Sequence, residues 1–163
     1  MIVVSDTSVI LNLCVIGQQD LLRRLFDDIL APTAVVAEFQ RLASVDTRFQ
    51  GLSFPAFIQK AVPAALLPFL KDSGQLQTGE IAALSLAVEK QADAVLMDEL
   101  AGRSAASSLG LRTIGLLGIL LDAKRQSLVP ALAPLISQLE REAGFWINAA
   151  LRSTVLQAAG EAP

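Results

Sequence analysis

Three acidic residues follow short apolar runs that are candidates for buried strands. Asp6 comes directly after Ile2–Ser5, and Asp98 and Glu99 come directly after Ala94–Met97. In a parallel sheet, ligands bind beyond the carboxyl ends of the strands, near the point where the strand order reverses. Because carboxylate oxygens at such an edge can ligate a metal ion, the spacing predicts an acidic site at one edge of a sheet.

Two further acids lie in predicted helices that begin near the same edge. Glu38 lies one to two turns into the helix after the second predicted strand, and Glu80 lies in the first turn of Thr78–Lys90. Like charges gathered in one cleft repel one another unless a cation is present, and oxygen-only ligands favour Mg²⁺ or Mn²⁺. The predicted metal ligands and catalytic residues are Asp6, Glu38, Glu80 and Asp98, with Glu99 as a further possible ligand.

Each of these acids also has a purely structural interpretation. Asp6 and Asp98 can cap the helices that follow them, because a carboxylate accepts hydrogen bonds from the first free N–H groups of a helix. Glu80 is favoured at a helix N-terminus by the helix dipole. Glu38 can be a solvated helix residue. The joint pattern is therefore more specific than any one of its members.

Three polar residues near the acids are weaker candidates for contacts with a substrate. Thr7 and Ser8 can hydrogen-bond a water molecule or a phosphate oxygen, and capping of the first helix is an equally good interpretation. Arg103, in the helix after Asp98, can contact a phosphate or can be a plain surface arginine.

The residue types that are missing exclude much hydrolase chemistry. The chain has no histidine and one cysteine, Cys14, so it can form neither a Ser-His-Asp unit nor a His-ligated zinc site. Asp and Glu total 16 against 13 Lys and Arg, a formal charge of −3. A mildly acidic chain is not an obvious nucleic-acid binder, because phosphate binding normally needs a basic surface.

The apolar content points to a covered sheet and to an interface. Hydrophobic residues make up 53% of the 163 residues. The longest apolar run, Ala61–Leu70, contains Pro63 and Pro68 and is too short for the roughly 20 residues of a membrane helix. We therefore expect a cytoplasmic protein with no membrane span that buries surface against a partner or a second copy.

Apolar runs alternate with helical patterns along the whole chain. This alternation predicts an α/β fold with a central parallel sheet and helices on both faces. We expect one domain over residues 1–163, with C-terminal helices over 130–160 packed on it. Strands are predicted at Ile2–Ser5, Ile29–Ala31, Phe57–Val62, Ala94–Met97 and Arg112–Ile114. Helices are predicted at Val9–Ile16, Gln19–Phe26, Thr33–Leu42, Ala64–Lys71, Thr78–Lys90, Glu99–Leu109, Leu116–Arg125, Pro130–Glu142 and Asn148–Ala159.

With these elements in place, the sequence resembles the PIN-domain nucleases over nearly its whole length. The resemblance lies in Asp6-Thr7-Ser8 after a strand, Glu38 within Pro32–Glu38, Gly79-Glu80 at the start of an Ala-rich helix, Asp98 after Val95-Leu96-Met97, and the segments Gly115–Lys124 and Gly144–Ile147. It implies a three-layer α/β/α sandwich, a Mg²⁺ or Mn²⁺ site and endoribonuclease activity on RNA. Relatives in this family include the VapC toxins, so it also implies a homodimer and inhibition by a cognate antitoxin protein.

Two other interpretations remain open at this point. One is a non-catalytic PIN-fold protein that binds RNA or a protein partner. The other is an aspartyl-phosphate phosphatase, which also begins with an Asp after a strand. Such enzymes use an Asp-x-Asp pair, and Ser8 occupies the second position here.

Overall fold

Five short strands form one parallel sheet in the computed structural model, which describes residues 1–163. The strands are β1 (Ile2–Ser5), β2 (Asp28–Pro32), β3 (Gln59–Ala61), β4 (Ala94–Leu96) and β5 (Thr113–Ile114). Their order across the sheet is β3-β2-β1-β4-β5, and every pair is parallel. The order reverses between β1 and β4, so a crevice opens beyond the carboxyl ends of these two strands.

Helices follow each strand and cover both faces of the sheet. They are α1 (Thr7–Val15), α2 (Asp20–Leu25), α3 (Thr33–Val45), α4 (Pro68–Asp72), α5 (Thr78–Glu89), α6 (Leu100–Ser108), α7 (Leu116–Arg125), α8 (Ala133–Gln138) and α9 (Ala149–Ala158). A short π-helical segment, Leu139–Ala143, continues α8. None of these helices has both the length and the apolarity that a bilayer span needs.

Alternate residues of the central strands face two separate cores. Val3 and Leu96 belong to a core shared with α1, α2, α3, α7, α8 and α9. Val4 and Val95 belong to a second core shared with α4, α5 and α6. Because successive side chains of a strand point to opposite faces, the short uninterrupted apolar runs fill both cores at once. The result is the expected three-layer α/β/α sandwich.

Two helices depart from the sequence prediction because prolines set their starts. α4 begins at Pro68 instead of Ala64, since proline is suited to the first helical position. α8 begins at Ala133, with Pro134 in its first turn, instead of at Pro130. The predicted single helix over Pro130–Glu142 is therefore wrong at its start, and its second half is the π-helical segment.

Candidate active site

A cavity of about 200 Å³ lies at the edge of the sheet where the strand order reverses. Four carboxylates and no basic side chain line it, and we call it the acidic cavity. Its lining residues are Asp6, Thr7, Ser8, Glu38, Gln75, Gln77, Glu80, Glu99 and Ala101. They come from the end of β1, the start of α1, the body of α3, the start of α5 and the loop before it, and the start of α6.

Asp6 is the most buried carboxylate of the cavity, with only 3% of its surface exposed. It directly follows β1, and its backbone N–H donates to the carbonyl of Leu96 in β4 at 3.1 Å. Its side chain caps α1 by accepting from Val9 N–H at 3.1 Å, and the Ser8 hydroxyl lies 3.3 Å from both carboxylate oxygens. Burial, aided by the nearby charges of Asp98 and Glu80, raises the pKa of Asp6 to about 8 against the lowering effect of these hydrogen bonds.

Thr7 brings an unpartnered hydroxyl to the same cavity. Its Oγ1 is buried and forms no hydrogen bond, although Thr7 lines the cavity. Gly79 makes room for this group: a Cβ at that position would lie 3.0 Å from Glu38 Oε2 and 3.5 Å from Thr7 Oγ1. The absence of a side chain at Gly79 therefore lets α5 approach α3 and α1 closely enough for Glu38 and Thr7 to share one wall.

Glu80 lies in the first turn of α5, opposite Glu99. Its Oε2 accepts from the backbone N–H of Gln77 at 3.2 Å, which satisfies one of the free donors before the helix. Burial raises the pKa of Glu80, and the negative charges of Glu99 and Glu38 add to that rise. Glu99 occupies the N-cap position of α6 without capping it, so its carboxylate is free to face the cavity.

Asp98 faces a different direction from its neighbour Glu99. Its two carboxylate oxygens lie 3.1 and 3.3 Å from the backbone N of Leu116, the first residue of α7. Gly115 permits this contact, because a Cβ there would lie 2.6 Å from Asp98 Oδ1 and 2.9 Å from an Arg103 nitrogen. Burial raises the pKa of Asp98, while the Leu116 N–H and the Arg103 charge oppose that rise.

The structure therefore brings together three of the four predicted acids, with Glu99 as the fourth carboxylate of the cavity. Asp6, Glu38 and Glu80 line it, as do Thr7 and Ser8, whereas Asp98 and Arg103 line a neighbouring cavity. The difference follows from the start of α7, whose free N–H attracts Asp98. In this conformation no group of three acidic or cysteine side chains is close enough to hold one metal ion.

The donor set of the acidic cavity nevertheless fits a hard divalent cation. All of its potential ligands are oxygens, which is the set that Mg²⁺ and Mn²⁺ prefer. The unpartnered Thr7 hydroxyl, the buried carboxylate of Asp6 and the half-buried carboxylate of Glu80 that repels it also leave polar groups that a hydrated cation would satisfy. Glu38 and Glu80 have side chains long enough to move toward such an ion by changes of rotamer.

Sequence reasoning missed two residues of the cavity wall, Gln75 and Gln77. Both lie in the polar loop that leads into α5. The available signal was their position directly before the Gly79-Glu80 pair, because a loop that enters this helix must lie at the same edge of the sheet as the helix N-terminus.

The fold and the acidic cavity define an α/β/α sandwich with a carboxylate-lined site at its switch point. A family model described as PIN domain matches residues 2–161, so the chain belongs to the PIN-domain family. Members of this family are generally nucleases. No curated protein matches the chain, so its membership rests on the family model and on the fold.

Proposed function

We propose that this protein is a Mg²⁺- or Mn²⁺-dependent endoribonuclease that hydrolyses RNA phosphodiester bonds. The observation that carries the proposal is the gathering of four carboxylates with an unpartnered buried hydroxyl in one cavity at the switch point of the sheet. Membership of the PIN-domain family supports the same activity. No histidine is needed for this chemistry, in keeping with a chain that has none.

Asp6, Glu38 and Glu80 would hold the cation, and Glu99 would complete the acidic wall. A divalent cation supplies charge neutralisation at the scissile phosphate and lowers the pKa of a bound water. Asp6 is the fixed member of the set, because Val9 and Ser8 hold its carboxylate in place. Asp98 acts on the site mainly by positioning the start of α7 and by adding negative charge near Asp6.

Thr7 and Ser8 have distinct roles in this proposal. Ser8 contacts both oxygens of Asp6, so it orients that carboxylate. Thr7 Oγ1 has no partner within the protein, so it is available to a water molecule or to a phosphate oxygen. A hydroxyl in this position can orient the attacking water without serving as a base.

The test is cleavage of a mixed RNA pool in Mn²⁺ or Mg²⁺ by the wild type and by Asp6→Asn. We expect metal-dependent cleavage by the wild type and its loss in the variant. Asp28→Asn is the matched control, because Asp28 is exposed at the start of β2, on the opposite edge of the sheet. Undiminished cleavage by Asp6→Asn would rule out the acidic cavity as the active site.

We further propose that the protein acts in the cytoplasm as a homodimeric toxin held inactive by a cognate antitoxin. Apolar side chains exposed beside the acidic cavity support a protein partner there: Leu100 is 82% exposed and Phe69 is 54% exposed. An amphipathic antitoxin helix is suited to such a surface. Expression in bacteria should inhibit growth, and co-expression of a small protein encoded next to this chain should relieve the inhibition. Growth that is unaffected by the wild type would contradict the toxin role.

A second candidate is a PIN-fold protein that binds RNA without cutting it. The observation that favours it is the spacing of the carboxylates. Although four of them line one cavity, no three lie close enough together to hold one metal ion. The same RNA pool separates the two functions. Retention of intact RNA in Mn²⁺, with no products after prolonged incubation, would favour binding alone.

A further inference from the structure

A second cavity, of about 550 Å³, lies beside the acidic cavity and runs along β5 and α7. β5 is the edge strand of the sheet, so this side of the sheet has no strand beyond it. Asp98 lines the second cavity and the adjacent residue Glu99 lines the acidic cavity. The two cavities therefore lie on either side of the Asp98-Glu99 backbone. We call the second cavity the arginine groove, after the residues described next.

Three arginines from three different elements line the arginine groove. Arg103 comes from α6, Arg112 from the residue before β5, and Arg125 from the last turn of α7. Arg103 and Arg112 form no ion pair, since the paired arginines of the chain are those at positions 23, 48, 125 and 152. Arg125 lies 3.6 Å from Asp122, and both side chains are exposed enough for water to weaken this pair. Arg112 is thus unpaired, whereas Arg103 lies near Asp98 and Arg125 near Asp122, so the arginines of the groove exceed its carboxylates by one positive charge.

The position of Arg103 is set by Gly115 and Asp98. The absence of a side chain at Gly115 leaves room for it, because a Cβ there would lie 2.9 Å from one of its nitrogens. The Asp98 carboxylate lies near the same point and accepts from the Leu116 N–H. Arg103 is therefore held in the groove close to Asp98, whose charge offsets part of its own.

The groove also has apolar and aromatic lining residues. Phe145 and Leu151 belong to its lining, and Phe145 is its one aromatic residue. A groove that combines guanidinium groups with an aromatic ring suits a single-stranded nucleic acid, because phosphates contact the cations and a base stacks on the ring. An acidic peptide would use the cations but would leave the ring without a matching partner.

We propose that the arginine groove binds the RNA strand on one side of the scissile bond and feeds it into the acidic cavity. This inference rests on the proposed nuclease function and assigns to it a substrate path. The acidic cavity alone repels a phosphodiester backbone, so the strand must be held by charge outside that cavity. The groove supplies such charge on the other side of the Asp98-Glu99 backbone.

The test measures binding of a fluorescein-labelled, mixed-sequence single-stranded RNA 12-mer by anisotropy in EDTA, where cleavage is not required. The test variant is the double substitution Arg112→Glu and Arg125→Glu. The matched control is Arg23→Glu with Arg24→Glu, which makes the same charge change on exposed α2, outside both cavities. Melting temperatures check folding, and Arg112→Gln with Arg125→Gln gives a milder second variant.

We expect the groove variant to lose about tenfold or more in RNA affinity and the control to stay within about twofold of the wild type. Three phosphate contacts to a single strand give a slope of about −2 in a plot of log affinity against log salt, and the Gln variant should lower its magnitude by roughly 1.4. Equal losses in groove and control variants would overturn the proposal. Groove-dependent binding of a poly-glutamate peptide, with no groove dependence for RNA, would overturn it in favour of a protein partner.

Cleavage assays in Mn²⁺ separate this proposal from the nuclease function on which it rests. Groove-dependent RNA binding without any cleavage would refute the nuclease and leave the groove as an RNA site. Cleavage that is equally efficient in the wild type and the groove variant, at RNA concentrations below saturation, would refute the groove and leave the nuclease intact.

Discussion

Replacement of Asp6 by asparagine should abolish cleavage and, in the absence of metal, stabilise the fold. The substitution keeps the shape of the side chain and removes its charge. Asparagine is as good an N-cap as aspartate, so the hydrogen bond from Val9 N–H to the side chain is retained. The change in stability therefore reports on the buried charge and not on the cap.

The expected magnitude follows from the pKa of Asp6, which rises from 3.8 to about 8 on folding, chiefly through burial. Between these two values the folded protein binds more protons than the unfolded chain, so its stability falls as the pH rises, by about 1.4 kcal/mol per pH unit. Below pH 3.8 Asp6 is protonated in both the folded and the unfolded state, so it costs no stability there. At pH 7 the wild type has lost at most about 4 kcal/mol from this group, and the variant has lost none.

The assay is urea unfolding in EDTA for both proteins at pH 5, 6 and 7. The variant should be the more stable one at pH 7, and its advantage should shrink to about 1 to 2 kcal/mol at pH 5. With Mn²⁺ present the variant's advantage at pH 7 should fall by more than half. A cation at one hundred times its dissociation constant adds about 2.7 kcal/mol to the wild type, and the variant gains little.

Two results would contradict this account of Asp6. The first is a stability difference in EDTA that stays constant from pH 5 to pH 7, which would mean that the carboxylate does not titrate in this range. The second is equal stabilisation of both proteins by Mn²⁺, which would place the cation away from the acidic cavity. Asp28→Asn, at the opposite edge of the sheet, should change neither the pH dependence nor the response to metal.

Three other substitutions separate catalytic from structural roles at the same edge. Thr7→Val removes a buried hydroxyl that has no partner, so cleavage should fall about tenfold or more while the melting temperature is kept or raised; a large loss of stability would show that the hydroxyl has a structural partner. Glu99→Gln should slow cleavage in a steady-state assay and change the free energy of unfolding by less than about 0.5 kcal/mol, because the side chain is exposed and caps nothing; unchanged cleavage would remove Glu99 from the site. Asp98→Ala should lower the free energy of unfolding by about 1 to 2 kcal/mol in urea, because the N–H of Leu116 loses its acceptor; wild-type stability would show that this hydrogen bond does not anchor α7.

The fold was largely predictable because its central strands β1 and β4 are short, apolar and covered on both faces. β1 has the predicted bounds, and β4 and β5 each lie within one residue of theirs. The helices that begin at strand ends or after polar loops were also found. The prediction was wrong at α4 and α8, where prolines at positions 68 and 134 mark helix starts inside the predicted helices. When several helix-compatible residues precede a proline, the sequence does not show whether the helix begins at the proline or before it.

The sequence could predict those site residues whose positions depend only on where strands end and helices begin. Asp6 and Glu80 are fixed by the end of β1 and the start of α5, so their positions followed from the elements alone. The choice between Asp98 and Glu99 depends instead on side-chain direction. Asp98 turns to the Leu116 N–H because Gly115 leaves space for it, and that contact joins residues 18 positions apart. No local pattern encodes such a contact.

The distribution of charge at this sheet edge shows how a chain with a formal charge of −3 can be suited to RNA. Four of its carboxylates line one small cavity, and setting them aside changes the net charge to +1. The Asp98 side chain lines the arginine groove and not the acidic cavity, so it lies on the same side as the three arginines. Charge of both signs is thus separated over a short distance at one sheet edge. A cation in the acidic cavity would remove the repulsion there, and the groove, with three arginines against Asp98 and Asp122, would then offer a local excess of positive charge to an incoming phosphate backbone.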